Sequence, residues 1–150
     1  MKISRKTYYG LRAVLCLAQE NGPLSIQTIA EREELPHGYL EKVLQGLRKA
    51  GIVEAKKGTA GGYALAKPAE ALSAWEVISA LDGHIKIFSL PEHNKKLPAS
   101  KAVSVAAAGW PCPPHSHCQT NEVLRALDAT LEESLSKISV GSLASQQNSR

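Results

Sequence analysis

Apolar positions recur along this chain in two rhythms. Leu11, Val14, Leu15 and Ala18 follow the i, i+3, i+4, i+7 spacing of one helix face and predict a first helix from about Arg5 to about Glu20, stopped by "NGP". Ser25 is a good N-cap for a short second helix that would bury Ile26, Ile29 and Ala30. After "EELP" a third helix is predicted from near His37. In it Leu40, Val43, Leu44 and Leu47 repeat the same spacing, and Gly51 ends it from the C′ position. Two short helices joined by a tight turn, the second with a clear polar face, read as a helix-turn-helix.

The rhythm then changes. "IVEAKK" predicts a strand, "GTAGG" a turn and "YALA" a return strand, with Pro68 closing the hairpin. A Gly-rich hairpin alone is most simply a surface turn. Placed directly after a helix-turn-helix, with Lys56 and Lys57 at its base, it reads as a wing. A tip without bulky side chains can enter a narrow minor groove while flanking cations meet phosphates. A fourth helix follows. Ser73 and Glu76 form a capping box, Leu72 and Val77 a hydrophobic staple, and Gly83 the stop.

Regularity fails from His84 to Gln119, where five of the eight prolines fall. A loop of this length is usually functional or disordered. The last predicted helix runs from about Asn121 to about Ser139, with Leu124, Leu127, Leu131, Leu135 and Ile138 as one stripe. Such a helix can fold back on its own domain or pair with a second copy, and pairing suits a protein that reads two half-sites. The tail "SQQNSR" is polar and is expected to fray. The expected organisation is a winged-helix DNA-binding domain at 1–83, a Pro-rich sensor loop at 84–119, and a dimerisation helix with polar tail at 120–150. The fold class is mainly α with a small β-hairpin.

Charge supports a polyanion as partner. Residues 1–67 carry eleven Lys/Arg against six Glu, a net of +5, while residues 68–150 carry a net of −1. A basic front half is the electrostatic footprint expected for nucleic acid. Composition, 43% hydrophobic and 21% charged, is that of a globular chain. No apolar run reaches the eighteen or so residues a membrane span needs. The expected location is the cytoplasm, with no membrane partner. Nothing reads as an enzyme: there is no phosphate-binding glycine loop, no strand–Ser–helix elbow and no His-Glu-x-x-His helix.

One short stretch carries separate chemistry. "CPPHSHC" packs Cys112, His115, His117 and Cys118 into seven residues. The third cysteine, Cys16, falls in the apolar stretch of the first helix and reads as a buried, inert thiol.

"YYGLRAVLCLA", "SIQTIAEREELPHGYLEKVLQGLRKAGIVEAKKGTAGGYALAKPAE" and a late Cys-x5-Cys before a long helix resemble the Rrf-two family of bacterial transcriptional regulators. The resemblance runs from Met1 to about Ala144 and is specific in "GYLEKVLQGLRKAGIV", in the wing and in "SKISVGSL". It implies a dimeric winged helix that binds a double-stranded DNA operator. In some members an iron–sulfur cluster tunes that binding, in others no cofactor does. The family's recognition helix often reads "SYLEQ" where this chain has Gly38, Tyr39, Leu40, Glu41 and Lys42. Gly38 stands where a serine often touches DNA, Glu41 matches an acidic position that can accept from a cytosine amino group, and Lys42 replaces a common glutamine. The family wing often reads "RGPGGGY"; here Lys57, Gly58, Thr59, Ala60, Gly61, Gly62 and Tyr63 take its place. Lysine offers a point charge where arginine offers a planar fork. The implied DNA-contacting set is therefore Gly38, Tyr39, Glu41, Lys42, Lys56, Lys57, Gly58, Gly61 and Gly62.

Cluster-binding relatives carry three loop cysteines. Cys112 and Cys118 resemble the last two, and no cysteine between Tyr63 and Pro111 matches the first. A cluster usually takes four protein ligands, of which histidine can supply some. His115 and His117, with His84 and His93 further off, are candidates beside the two thiols. Three accounts follow: a cluster or metal, zinc included; a reversible Cys112–Cys118 disulfide, which would make a cofactor-free, thiol-switched repressor; or a site that binds nothing. A winged helix serving only protein interaction is the remaining alternative, and the basic front half argues against it.

Overall fold

The computed structural model describes residues 3–20, 22–83 and 119–147. Ser4 caps α1, Arg5–Ala18, by accepting from the Thr7 amide. Ser25 caps α2, Ile26–Arg32, in the same way through Thr28, and α3 spans His37–Lys49. The hairpin pairs β1, Val53–Lys56, antiparallel with β2, Gly62–Leu65, in the register Val53↔Leu65 to Lys56↔Gly62. A 3-10 turn at Ala69–Ala71 leads into α4, Ala74–Asp82, whose Ser73–Glu76 capping box forms as the sequence indicates. Two further helices follow, α5 over Gln119–Ser136 and α6 over Val140–Gln147.

The core is aliphatic. Leu40, Val43, Leu44 and Leu47 of α3 are fully buried, with Ala13, Val14 and Leu17 of α1 and Ile29 of α2 in the same cluster. Each Leu or Val so buried contributes on the order of 2 kcal/mol, an upper figure because unfolded chains already hide some apolar surface. Leu72 and Val77, the two staple residues, are also fully buried. Cys16 lies in this core as expected, and burial pushes its thiol pKa up, keeping it protonated and unreactive. Ile26, expected in the core, is only half-buried against its edge.

Both helices that precede a change of direction end in the same motif. After α3, Ile52 N–H donates to Leu47 O and Gly51 N–H to Arg48 O, each at 3.0 Å, with Gly51 at φ 72°. This is a Schellman cap with glycine in the left-handed position. After α2, Leu35 N–H donates to Ala30 O at 2.9 Å and Glu34 N–H to Glu31 O at 3.4 Å. Here the left-handed position holds Glu34 at φ 51°, which costs a residue with a Cβ about 1–2 kcal/mol.

The C-terminal region departs from the expected single helix. The chain breaks after Ser136 and Ser139 forms an antiparallel bridge with Ser73. Ala74 N–H donates to Ile138 O at 2.9 Å and Val140 N–H to Leu72 O at 2.8 Å. Val140 and Ala144 are then buried as α6 packs on α1 and the 3-10 turn. Residues from the far end of the chain are thus bonded to the start of α4. Ile138 falls at the break instead of on the helix stripe. Residues 145–147, expected to fray, are helical, while residues 148–150 and the loop at 84–118 lie outside the described residues.

Glu34→Gly should stabilise the fold. Glycine removes the left-handed strain, at about 1–2 kcal/mol, and returns part of it as extra freedom in the unfolded chain. The expected gain is on the order of 0.5 kcal/mol, read as a higher urea midpoint at unchanged slope. A lower midpoint would show that the Glu34 side chain holds the turn.

Candidate nucleic-acid interface

Burial of one face of α3 leaves the opposite face to solvent. Gly38, Tyr39, Glu41 and Lys42, all expected there from the sequence, are exposed, and so are Gln45, Arg48 and Lys49. Gln45 was not among the expected contacts. The signal for it lies in the period, since it sits four residues beyond Glu41 and three beyond Lys42. A Cβ added at Gly38 would meet nothing within 4 Å, so the missing side chain leaves open space on that face.

The wing separates the two lysines that the sequence grouped together. Lys56 forms an ion pair with Glu54 of its own strand, both half exposed. Such a pair contributes little to stability, yet it offsets the charge of Lys56. Lys57 is exposed and, among the described residues, has no carboxylate partner. It is the cation the hairpin presents outward.

Gly62 has a structural reason to be glycine. A third strand-like segment runs beside β2: Leu24 N–H donates to Tyr63 O at 2.9 Å, and Tyr63 N–H donates to Leu24 O at 2.7 Å. A Cβ on Gly62 would fall 2.2 Å from Leu24 O. Close approach of the two backbones is reason enough for glycine at this position. Gly58 and Gly61 form the tip, closed by a 3.0 Å bond from Gly61 N–H to Gly58 O.

Charge near the bend is largely internal. The turn between α2 and α3 is acidic, with Glu31, Glu33 and Glu34. Arg12 Nε donates to Glu33 Oε2 at 2.9 Å, Arg32 pairs with Glu20, and Gln27 donates to Glu31. The hydrogen bond to Glu33 holds the Arg12 pKa above its usual value. At the other end of the unit, Asp82 receives the Ser4 amide at 3.0 Å and the Ser4 hydroxyl. Burial works against the Asp82 carboxylate, but these bonds and nearby Lys6 outweigh it and lower its pKa.

Helix α5 is covered on one side only. It packs along α4, yet none of its residues from Glu122 to Ser136 enters the buried core. Val123 and Leu127 are exposed, and Leu124, Leu131 and Leu135 are half-buried. Cys112, His115, His117 and Cys118 lie outside the described residues, as do His84 and His93. Among the described residues no group of three or more His, Cys, Asp or Glu is placed to hold a metal, and no helix is long and apolar enough to cross a membrane.

The family model described as Rrf2, iron-dependent transcriptional regulator, matches residues 3–146. The chain belongs to the Rrf2 family of transcriptional regulators. It is similar to the HTH-type transcriptional regulator IscR of Klebsiella pneumoniae, 31% identical over 149 residues that cover 98% of this chain and 82% of that one. It is 42% identical over 90 residues to an HTH-type relative of Synechocystis sp., covering 59% of this chain and 61% of the relative's length. The solved structure of CymR, the global cysteine regulator of B. subtilis, superposes with a TM-score of 0.69 at 28% identity over 97% of this chain and 98% of that one. Its relatives are regulators and not enzymes.

Proposed function

We propose that this chain is a cytoplasmic, homodimeric, sequence-specific DNA-binding regulator, whose operator affinity is set by chemistry at "CPPHSHC". The observation that carries the DNA reading is the exposed polar face of α3 flanked by a wing that offers Lys57, which has no carboxylate against it among the described residues. α3 would read base edges in the major groove through Glu41, Lys42 and Gln45. Lys57 would meet phosphate beside the minor groove.

Support for a second copy comes from α5. Its exposed Val123 and Leu127, with the half-buried Leu124, Leu131 and Leu135, are left without a core. A twin helix supplies an identical stripe, as a two-fold interface requires.

The sensing element rests on donor chemistry. Two thiolates and two imidazoles meet the usual four-ligand count, and mixed Cys/His ligation of iron–sulfur centres is known chemistry. Cys112, His115, His117 and Cys118 would hold the cluster or metal, with His84, His93 or a group from a partner subunit as further candidates. The resemblance to IscR and the iron dependence in the family's description favour this account. Resemblance to a cysteine regulator keeps the Cys112–Cys118 disulfide as the second. Either change would occur just before α5, which starts at Gln119, packs along α4 and is followed by the Ser139 bridge to Ser73. A shift of α5 would thereby reach the winged unit and alter the spacing of two recognition helices.

Replacing Leu127 and Leu131 together by Glu would put carboxylates in the seam. Sedimentation should then show monomers, and operator binding should weaken sharply. A double variant that stays dimeric places the interface elsewhere.

Lys57→Ala should weaken binding to all duplexes and lower the salt slope by about one unit per wing. Glu41→Ala should instead reduce discrimination at one position per half-site, by roughly 1–3 kcal/mol. The contact assignment fails if the first leaves the salt dependence intact and the second leaves specificity intact.

Protein purified without air should carry iron or zinc that Cys112→Ala abolishes and His115→Ala or His117→Ala reduces. Under the disulfide account metal is absent, and oxidised protein shows a Cys112–Cys118 cross-link that reductant removes. Cys16→Ala should change neither result. If Cys112→Ala/Cys118→Ala protein binds DNA like its parent under reducing, oxidising, iron-rich and iron-poor conditions, the loop has no sensing role.

A further inference from the structure

The bend between α2 and α3 is closed locally by the backbone bonds of its Schellman cap. α2 is only seven residues long, Pro36 caps α3 without a side-chain bond, and Glu34 sits in the left-handed region. Buried Leu35 is its one apolar anchor. Yet the orientation of α3 decides which base edges its side chains reach.

A chain of contacts from α1 grips both sides of this bend. Arg12 Nε donates to Glu33, the C-cap residue of α2, at 2.9 Å. The same guanidinium lies 5.9 Å from the centre of the Tyr8 ring. Tyr8 meets Tyr9 with ring centres 5.8 Å apart, and Tyr9 meets Tyr39 edge-on at 5.4 Å and 86°. Tyr39 is in the first turn of α3, between Gly38 and Glu41. The chain therefore runs Glu33, Arg12, Tyr8, Tyr9, Tyr39, with α1 as a common rigid support.

We infer that Arg12 and Tyr9 are positioning residues for sequence discrimination: by holding Glu33 and Tyr39 to α1, they fix the angle at which α3 is presented to DNA. The inference rests on the DNA-binding reading above. A helix of this length spans about 20 Å, so a tilt of ten degrees or so at its first turn moves its far end by roughly 3 Å. Hydrogen bonds to base edges tolerate only a few tenths of an ångström. Long lysine side chains reaching phosphates follow such a shift easily. Loss of the clamp should thus erode specific binding while leaving general affinity in place.

The test uses full-length protein and two duplexes: one selected by the wild type from a randomised library, and one scrambled duplex of the same composition. The ratio of the two affinities is read at several salt concentrations, beside a urea titration of each variant. Arg12→Ala should lower the ratio by about tenfold or more, the size of losing one base reading, with affinity for the scrambled duplex and the salt slope held. Arg12→Lys, which keeps the charge but loses the planar fork, should fall between. Tyr9→Leu keeps apolar volume at a partly buried site and decides the question if Arg12→Ala does not fold. It should lower the ratio likewise. A folded Tyr9→Leu or Arg12→Ala protein with the wild-type ratio overturns the inference. So does an equal loss on both duplexes with a reduced salt slope, which would make Arg12 a phosphate contact. A wild type that selects no duplex overturns the DNA-binding reading itself, a result separate from either.

Discussion

Burial of Leu40, Val43, Leu44 and Leu47 is the constraint on which the rest of the molecule depends. All four are fully inaccessible, and they occupy one face of a helix of thirteen residues. With that face committed to the core, the period of the helix forces Gly38, Glu41, Lys42 and Gln45 outward. None of these four residues enters the core, so their chemistry is open to recognition. The helix can be amphipathic only because α1 and α2 supply Val14, Leu17 and Ile29 beneath it.

A second constraint joins parts of the chain far apart in sequence. α4 is tied at both ends: Asp82 receives two bonds from Ser4, and Ser73 pairs with Ser139. α4 therefore begins and ends at fixed points, the first of them shared with the segment that follows α5. Interiors packed at native density move as bodies and deform little. On the proposed reading, a change of ligation next to α5 would act on the winged unit as a lever and would not soften it.

Local signals in the sequence located most elements. Ser25, the Ser73–Glu76 box, Gly51 and the Gly-rich tip each act within a few residues, and each marked a true start, stop or turn. Three features escaped because their causes are long-range. The spacing of Leu124, Leu127, Leu131, Leu135 and Ile138 continues without a flaw, and neither Pro nor Gly marks the break after Ser136. What ends that helix is bonding of Ile138 and Val140 to Ala74 and Leu72, residues that lie more than sixty positions earlier. Leu24 joins the sheet through Tyr63 for the same kind of reason. Glu34 takes a position that usually signals itself by glycine, so its Schellman cap was silent. At the interface, solvent exposure of the α3 face followed from periodicity alone. The pairing of Lys56 with Glu54 is set by the strand's alternation, which puts residues two apart on one face, and it singles out Lys57.

Glycine illustrates how a family pattern mixes two kinds of demand. Gly62 belongs to a wing motif associated with DNA, yet the atom that forbids a side chain there is Leu24 O, inside the protein. Gly38 is the reverse: nothing in the chain lies within 4 Å of where its Cβ would be. Folding therefore leaves position 38 open to any small residue, while it restricts position 62 to glycine. If function sets the residue at 38, the cause must lie in what α3 approaches from outside. A recognition helix that begins with glycine brings its backbone closer to a partner than one that begins with serine, and it offers no hydroxyl there. Discrimination then falls to Glu41, Lys42 and Gln45 further along the same face, and so to whatever holds the angle of α3.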